Sequence, residues 1–182
     1  MLVLYHDYTS PASAVAALRL QRLADEGVAV TFAGFEALVA ARLPVTLEVA
    51  AGVEDLAHAA AAEGLALRRP PWLPPTARAH VVGGVAEARG RGAAWRAACY
   101  RAFWEDGADL AESAVLLELA ATAGLDAAEI GVCLDDPGRV PAFRRGLLTA
   151  RKAGVGGVPV LYAHGTLVPA LLPEDDLRAL AG

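Results

Sequence analysis

A short apolar run, Leu2-Val3-Leu4-Tyr5, leads directly into Ser10-Pro11-Ala12-Ser13, and an apolar helix follows. Near the other end, Gly154-Val155-Gly156-Gly157-Val158-Pro159-Val160-Leu161-Tyr162 reads as a second strand entered through a proline. These two segments constrain the chain more than anything else in it. Buried strands carry continuous apolar runs. Pro11 suits a first helical position, and Thr9 and Ser10 offer capping hydroxyls. Ala14, Val15, Leu18, Leu20, Leu23 and Ala24 then give a broad apolar face, and Gly27 ends the helix. Val28 to about Phe35 reads as the next strand, which completes a βαβ unit with short connections.

The middle of the chain reads differently. Ala37 to Ala50 is ambiguous, partly helical or irregular, and Val53 to Glu63 reads as a helix stopped by Gly64. Arg69-Pro70-Pro71-Trp72-Leu73-Pro74-Pro75 excludes regular structure and marks a boundary. From Thr76 to Lys152 the signal is almost all helical: a helix capped by Thr76 and weakened by Gly83-Gly84, then Ala93 to Asp106, Glu112 to Ala123, Asp126 to Leu134, and about Val140 to Ala153. Strands over Val158–Tyr162 and Thr166–Val168 follow, joined by a tight turn. Pro173 opens a last helix whose first turn holds Glu174, Asp175 and Asp176, where the helix dipole favours acids. The order βαβ, helical block, ββα predicts an α/β fold with an inserted all-helical subdomain. It is a single domain over 1–182, with α/β halves of about 1–68 and 154–182 and the insertion at about 76–153. The deepest concave surface is expected between the α/β part and the helices, since sites favour such junctions.

Composition narrows the function classes. Hydrophobic residues make up 55%, much of it alanine, which favours helix. Sixteen Lys and Arg against twenty-one Asp and Glu give a net charge of -5, with no basic stripe, which argues against nucleic acid and anionic membrane as partners. No apolar run reaches the ~18 residues of a membrane span, and no signal peptide is visible, so the expected compartment is the cytoplasm. Cys99 and Cys133 form no CxxC pair. Each falls on an apolar helical face, so both read as buried and reduced. No histidine pair has metal-ligand spacing, and phosphate loops, HExxH and GxSxG are absent, so no metal is expected.

The first turn of the first helix is where chemistry is expected. Its backbone N–H groups at Ala12, Ser13 and Ala14 and the helix dipole make a local positive field that would stabilise a thiolate. Ser10 cannot be that thiolate, but its hydroxyl can donate a hydrogen bond to the sulfur of a bound thiol. The plainer reading is that Ser10 is simply a helix cap. Val158-Pro159 is the second element. A cis bond there would expose the Val158 backbone to pair with an extended peptide, whereas Pro159 alone is a strand-entry proline. His6 and Asp7 could tune a bound thiolate or act as an acid/base pair, although a solvent-facing strand end is the plainer expectation. His80 could line the cleft or sit on a helix surface, Trp72 is placed near the cleft mouth, and His58 and His164 read as exposed.

Asp7-x-x-Ser10-Pro11-x-Ser13, Glu63-Gly64-Leu65, Thr76-Ala77-Arg78-Ala79-His80, Phe103-Trp104-Glu105-Asp106-Gly107 and Ala153-Gly154-Val155-Gly156-Gly157-Val158-Pro159 together resemble the DsbA-like thioredoxin superfamily. The similarity is greatest to the FrnE-type branch, with its relatives the 2-hydroxychromene-2-carboxylate isomerases and kappa-class glutathione transferases. The resemblance implies a thioredoxin-like fold and a cis Pro159. The redox branch carries Cys-Pro-x-Cys where this chain has Ser10-Pro11-Ala12-Ser13, while the isomerase and kappa branch carries serines there. The resemblance therefore implies a glutathione-dependent isomerase or transferase acting on a small apolar substrate. Ser10 and Ser13 would be its catalytic residues, with His6, Asp7, Pro11, Val158, Pro159, His80 and Trp72 around the thiol and substrate. It leaves room for a homodimer. The alternatives are a non-catalytic thiol- or peptide-binding module and, by family label, a disulfide oxidoreductase. One departure bears on glutathione: Leu171 and Leu172 stand where that branch carries polar residues for the glutamyl end, and Glu174 and Asp175 come a few positions later.

Overall fold

The computed structural model describes residues 1–38 and 41–182. Strand β1 (Leu2–His6) lies at the centre of the sheet, helix α1 spans Pro11–Asp25, and β2 spans Val30–Gly34. β1 and β2 are parallel, with Leu4 opposite Phe32. β3 (Val160–Ala163) returns antiparallel on the other side of β1, with Leu4 opposite Leu161, and β4 (Thr166–Pro169) pairs antiparallel with β3. The strand order is β2-β1-β3-β4. Helix α9 (Glu174–Ala181) closes the chain and buries Leu177. This is the thioredoxin-like arrangement expected for a βαβ and a ββα half.

Between the halves lie α2 (Leu47–Asp55), α3 (Ala57–Ala62), α4 (Ala77–Ala88), α5 (Gly92–Trp104), α6 (Ser113–Thr122), α7 (Ala127–Asp135) and α8 (Arg139–Lys152). The single helix expected over Val53–Glu63 is two helices that meet at Leu56. The first of them starts at Leu47, where Thr46 Oγ1 accepts the Val49 N–H at 3.2 Å. That cap lies inside the stretch read as ambiguous, of which residues 39–40 fall outside the described residues. The proline-rich segment is irregular apart from one bridge between Leu43 and Leu73.

Alternation along β1 sorts the two faces of the sheet. Leu2, Leu4 and His6 point inward to α1 and the helical block, where Trp95, Tyr100, Phe103 and Trp104 are buried. Tyr5 and Val160 turn to the other face and pack with Phe35, Leu147 and Val155 under α8. At about 25 cal/mol per Å² of apolar area, these buried aromatics dominate the inner core. Both cysteines are free and buried, as their helical faces suggested.

Candidate functional site

Ser10 takes an extended conformation (φ -97°, ψ 119°) and caps α1, its Oγ accepting the Ser13 N–H at 3.1 Å. Ser10 O accepts the Ala14 N–H at 3.0 Å. Pro11 has no N–H to offer. Of the three first-turn donors read from the sequence, two are thus internally satisfied, and the Ala12 N–H is the orphan of the turn. Ser10, Pro11 and Ala12 open onto a groove of about 440 Å³, shared with Thr9, Ala37, Leu38, Val158 and the α2 residues Glu48, Val49, Gly52 and Asp55. The hydrogen on the Ser10 hydroxyl is free to be donated outward, because that oxygen is only an acceptor within the cap. A first turn with an outward hydroxyl, an open N–H and the positive dipole end suits a thiolate or another small anion.

The wall opposite Ser10 is α2, not the helical block. No residue from 76 to 153 lines this groove; the hollows between the α/β part and the insertion lie elsewhere, beside Phe32 and Arg96 and around His6 and His80, so the groove at Ser10 is separate from the junction expected to hold the site. Gly52 makes the approach: a Cβ there would lie 2.7 Å from Pro11 Cγ. The Val158–Pro159 peptide bond is cis, and Val158 lies on the groove with Pro159 half-buried beside it.

Ser13 stands behind the groove. It is fully buried, and its Oγ accepts the Asp7 N–H at 3.3 Å. Asp7, 1% exposed, joins three segments that meet beneath Ser10. Its Oδ2 accepts the Ala37 N–H at 2.7 Å, and its Oδ1 accepts the Thr76 hydroxyl at 2.8 Å. His80 Nε2 lies 3.6 Å from the same Oδ1. Burial raises the Asp7 pKa, but His80, the Ala37 N–H and Thr76 outweigh it and hold the carboxyl below its ordinary value. Thr76, read as the α4 cap, makes no cap bond because its hydroxyl is spent on Asp7. Glu36 serves α4 instead. It accepts the Ala77 N–H at 3.2 Å and pairs with Arg144 at 2.8 and 3.1 Å.

The solvent-facing reading of His6 and Asp7 is overturned by the pleat, which turns His6 to the same side as Leu2 and Leu4. His6 Nδ1 bonds the Tyr100 hydroxyl at 2.9 Å, and burial, with His80 and Arg96 adding to it, pushes the His6 pKa well down. His80 is neither a surface residue nor a groove residue. It is stacked between Tyr8 at 4.6 Å and Phe143 at 5.5 Å, in a smaller interior pocket with His6. Trp72 is also off the groove, because the Leu43–Leu73 bridge fixes its segment elsewhere and Arg42 lies over its ring at 4.6 Å. His58 and His164 are exposed. Burial pushes the Cys99 thiol well up and the Cys133 thiol up, so neither is an activated nucleophile.

The sequence reading missed Leu38, Thr46, Glu48, Gly52 and Asp55 on the groove, and Glu36 and Arg144 behind it. Thr46 followed by the apolar run of α2 was the available signal for the opposing helix. Glu36 and Arg144 are too far apart in sequence to have been paired. Among the described residues there is no cluster of three metal-ligating side chains, and no helix is long and apolar enough to cross a membrane.

The family model for the DSBA-like thioredoxin domain matches residues 1–182, and the chain belongs to that family. Comparison with curated proteins gave no match. Among solved structures, a probable DsbA oxidoreductase from Streptomyces coelicolor, SCO1869, superposes with a TM-score of 0.82 at 28% identity, over 98% of this chain and 87% of that one. A 2-hydroxychromene-2-carboxylate isomerase gives 0.75 at 19% identity, over 92% and 87%. The cytosolic disulfide reductase DsbM from Pseudomonas aeruginosa, solved with GSH, gives 0.67 at 22% identity, over 98% and 95%. At the identities of the last two, the likeness is one of fold.

Proposed function

We propose that this member of the DSBA-like thioredoxin family binds an external low-molecular-weight thiol, glutathione being the first to test, with its sulfur beside Ser10, and uses it in an isomerase- or transferase-type reaction on a small apolar molecule. The carrying observation is the groove itself: Ser10 with a donatable hydroxyl and the orphan Ala12 N–H at the start of α1, facing a wall that combines the apolar Leu38, Val49 and Leu56 with the carboxylates of Glu48 and Asp55. The chain's own sulfurs are buried with raised pKa values, so the nucleophile is borrowed. The thiolate adds to an electrophilic carbon of the substrate, forming a C–S bond and displacing an electron pair onto the conjugated system. In an isomerase the same C–S bond then breaks after rotation and the thiolate is regenerated. In a transferase the adduct takes up a proton from solvent and leaves. Ser10 and the Ala12 N–H hold the sulfur anion, the Val158 backbone holds the thiol's main chain, and Ser13 and Asp7 keep the turn in place.

Glutathione titration by calorimetry, on the wild type and on Ser10→Ala, tests the reading. Binding weakened in the variant supports it, and no heat of binding with any small thiol overturns it. The cap bond favours a second reading, a binding module without catalysis, because Ser10 Oγ already has a structural task in accepting the Ser13 N–H. Thiol binding without turnover of conjugated electrophiles would select that reading. An oxidoreductase reading requires insulin-type disulfide reduction that survives replacement of Cys99 and Cys133, and none is expected.

A further inference from the structure

The charge of the groove says which thiol it takes. This inference rests on the thiol-binding reading above. Among the described residues, Glu48 and Asp55 are the only ionisable side chains lining the groove, and both are acidic. They stand two turns apart on one face of α2, about 10 Å along its axis. Gly52 lies between them, where α2 comes against Pro11. The two carboxylates therefore bracket the point at which the wall meets the start of α1. No ion pair among the described residues uses either of them.

Among the described residues, no Lys, Arg or His lines the groove. Arg144 forks onto Glu36, Arg42 pairs with Asp109 and Glu112, and Arg151 lies over the Phe35 ring at 5.4 Å. At the C-terminal end, Arg22 pairs with Glu174 at 2.5 Å, and no residue beyond Val158 lines the groove. The groove is thus bipolar. Its α1 end is electropositive through the helix dipole and the open Ala12 N–H. Its α2 wall carries two negative charges, and the dipole of α2 is already answered by the Thr46 cap and by Glu48 in its first turn.

We infer that the groove selects a thiol of net positive charge, sulfur toward Ser10 and ammonium toward Glu48 and Asp55, over a thiol of net negative charge such as glutathione. A thiolate with an ammonium matches both ends of the groove. Glutathione carries one ammonium but two carboxylates, so it brings a net negative charge to a wall that has two of its own, and the carboxylate left without a partner opposes binding. The acids are exposed, so the preference is modest and falls with salt.

The test uses the full chain and a matched set of thiols that differ only at the end remote from sulfur: aminohexanethiol, mercaptohexanol and mercaptohexanoate, with glutathione beside them. Affinities are read at low and high salt from the Ala12 and Ser13 amide resonances, which report the sulfur end. The expected order is amine, then alcohol, then acid, with roughly three- to tenfold between amine and acid at low salt. The gap narrows at high salt and closes in the Glu48→Gln, Asp55→Asn double variant. Both positions are exposed, so that variant should fold. Equal affinities, a tighter acid or glutathione, or an order unchanged in the double variant would overturn the charge selection while leaving thiol binding at Ser10 intact. If none of the four thiols moves these resonances, the thiol-binding reading fails and this inference fails with it.

Discussion

The groove at Ser10 and the polar layer beneath it arise from the same eight residues, His6 to Ser13, and use them in opposite ways. On the outside, Ser10, Pro11 and Ala12 present a hydroxyl, an open N–H and a helix dipole to a groove. On the inside, His6, Asp7 and Ser13 are buried, and each is hydrogen-bonded into the structure. The side chains with acid/base chemistry have thus been committed to structure, and the accessible positions carry no nucleophile. What remains accessible can stabilise an anion but not supply one. This is why a borrowed thiol accounts for the site better than a catalytic triad or a redox pair built from its own residues.

The comparison is easiest to break on the inside. Asp7→Ala strands the Thr76 hydroxyl, the Ala37 N–H and the neighbourhood of His80 in a buried place. Each orphaned group costs about 1–3 kcal/mol, so a loss of about 3–5 kcal/mol is expected in urea denaturation. A loss under about 1 kcal/mol would mean that Asp7 does not join these segments.

Gly52→Val comes next. Its side chain would have to displace Pro11, which predicts about 1–3 kcal/mol of destabilisation. It also predicts weaker thiol binding, because α2 and the start of α1 move apart. Unchanged stability and binding would place α2 away from the groove.

The inner layer also predicts a pH dependence. The folded pKa of His6 lies below its unfolded value of about 6.5. As pH falls, the unfolded chain takes up the proton first, so stability is full above about pH 6.5 and is lost below it, toward the folded pKa. The Asp7 carboxyl is also depressed, and its contribution is lost only further down, below the unfolded value of about 3.9. The urea midpoint should therefore fall between about pH 7.5 and 5.5 in the wild type, and that slope should flatten in His6→Gln. A slope unchanged by the substitution would assign it to another group. On the outside, Ser10→Ala removes only the cap bond and should cost about 1 kcal/mol.

The contrast also shows what could be read from the chain. β1, α1 and the C-terminal strands were legible because Leu2–Tyr5 and Val160–Tyr162 are apolar runs, and Pro11 and Gly27 mark the two ends of the first helix. The outer half of the site was legible for the same reason, since Ser10-Pro11 is local helix-start chemistry. The inner half was not. Whether His6 faces core or water depends on which side of the pleat is covered, and Thr76 looked like a cap because its true partner, Asp7, is brought to it only by the fold. The opposing wall was missed because alanine-rich sequence from 37 to 50 has little periodicity, and the Glu36–Arg144 pair joins residues with no local relation. Long-range polar pairing leaves no periodic trace in a single sequence.

The central claim is that the start of α1 is built to hold a sulfur anion that the chain itself lacks. The most direct measurement places one there. In Ser10→Cys, the introduced thiol can be titrated by its absorbance, because Cys99 and Cys133 are buried with raised pKa values and stay protonated through the range of interest. The account predicts a thiol pKa well below the reference of about 8.5, held down by the dipole of α1 and the Ala12 N–H. A value at or above that reference would contradict it and leave Ser10 as an ordinary helix cap.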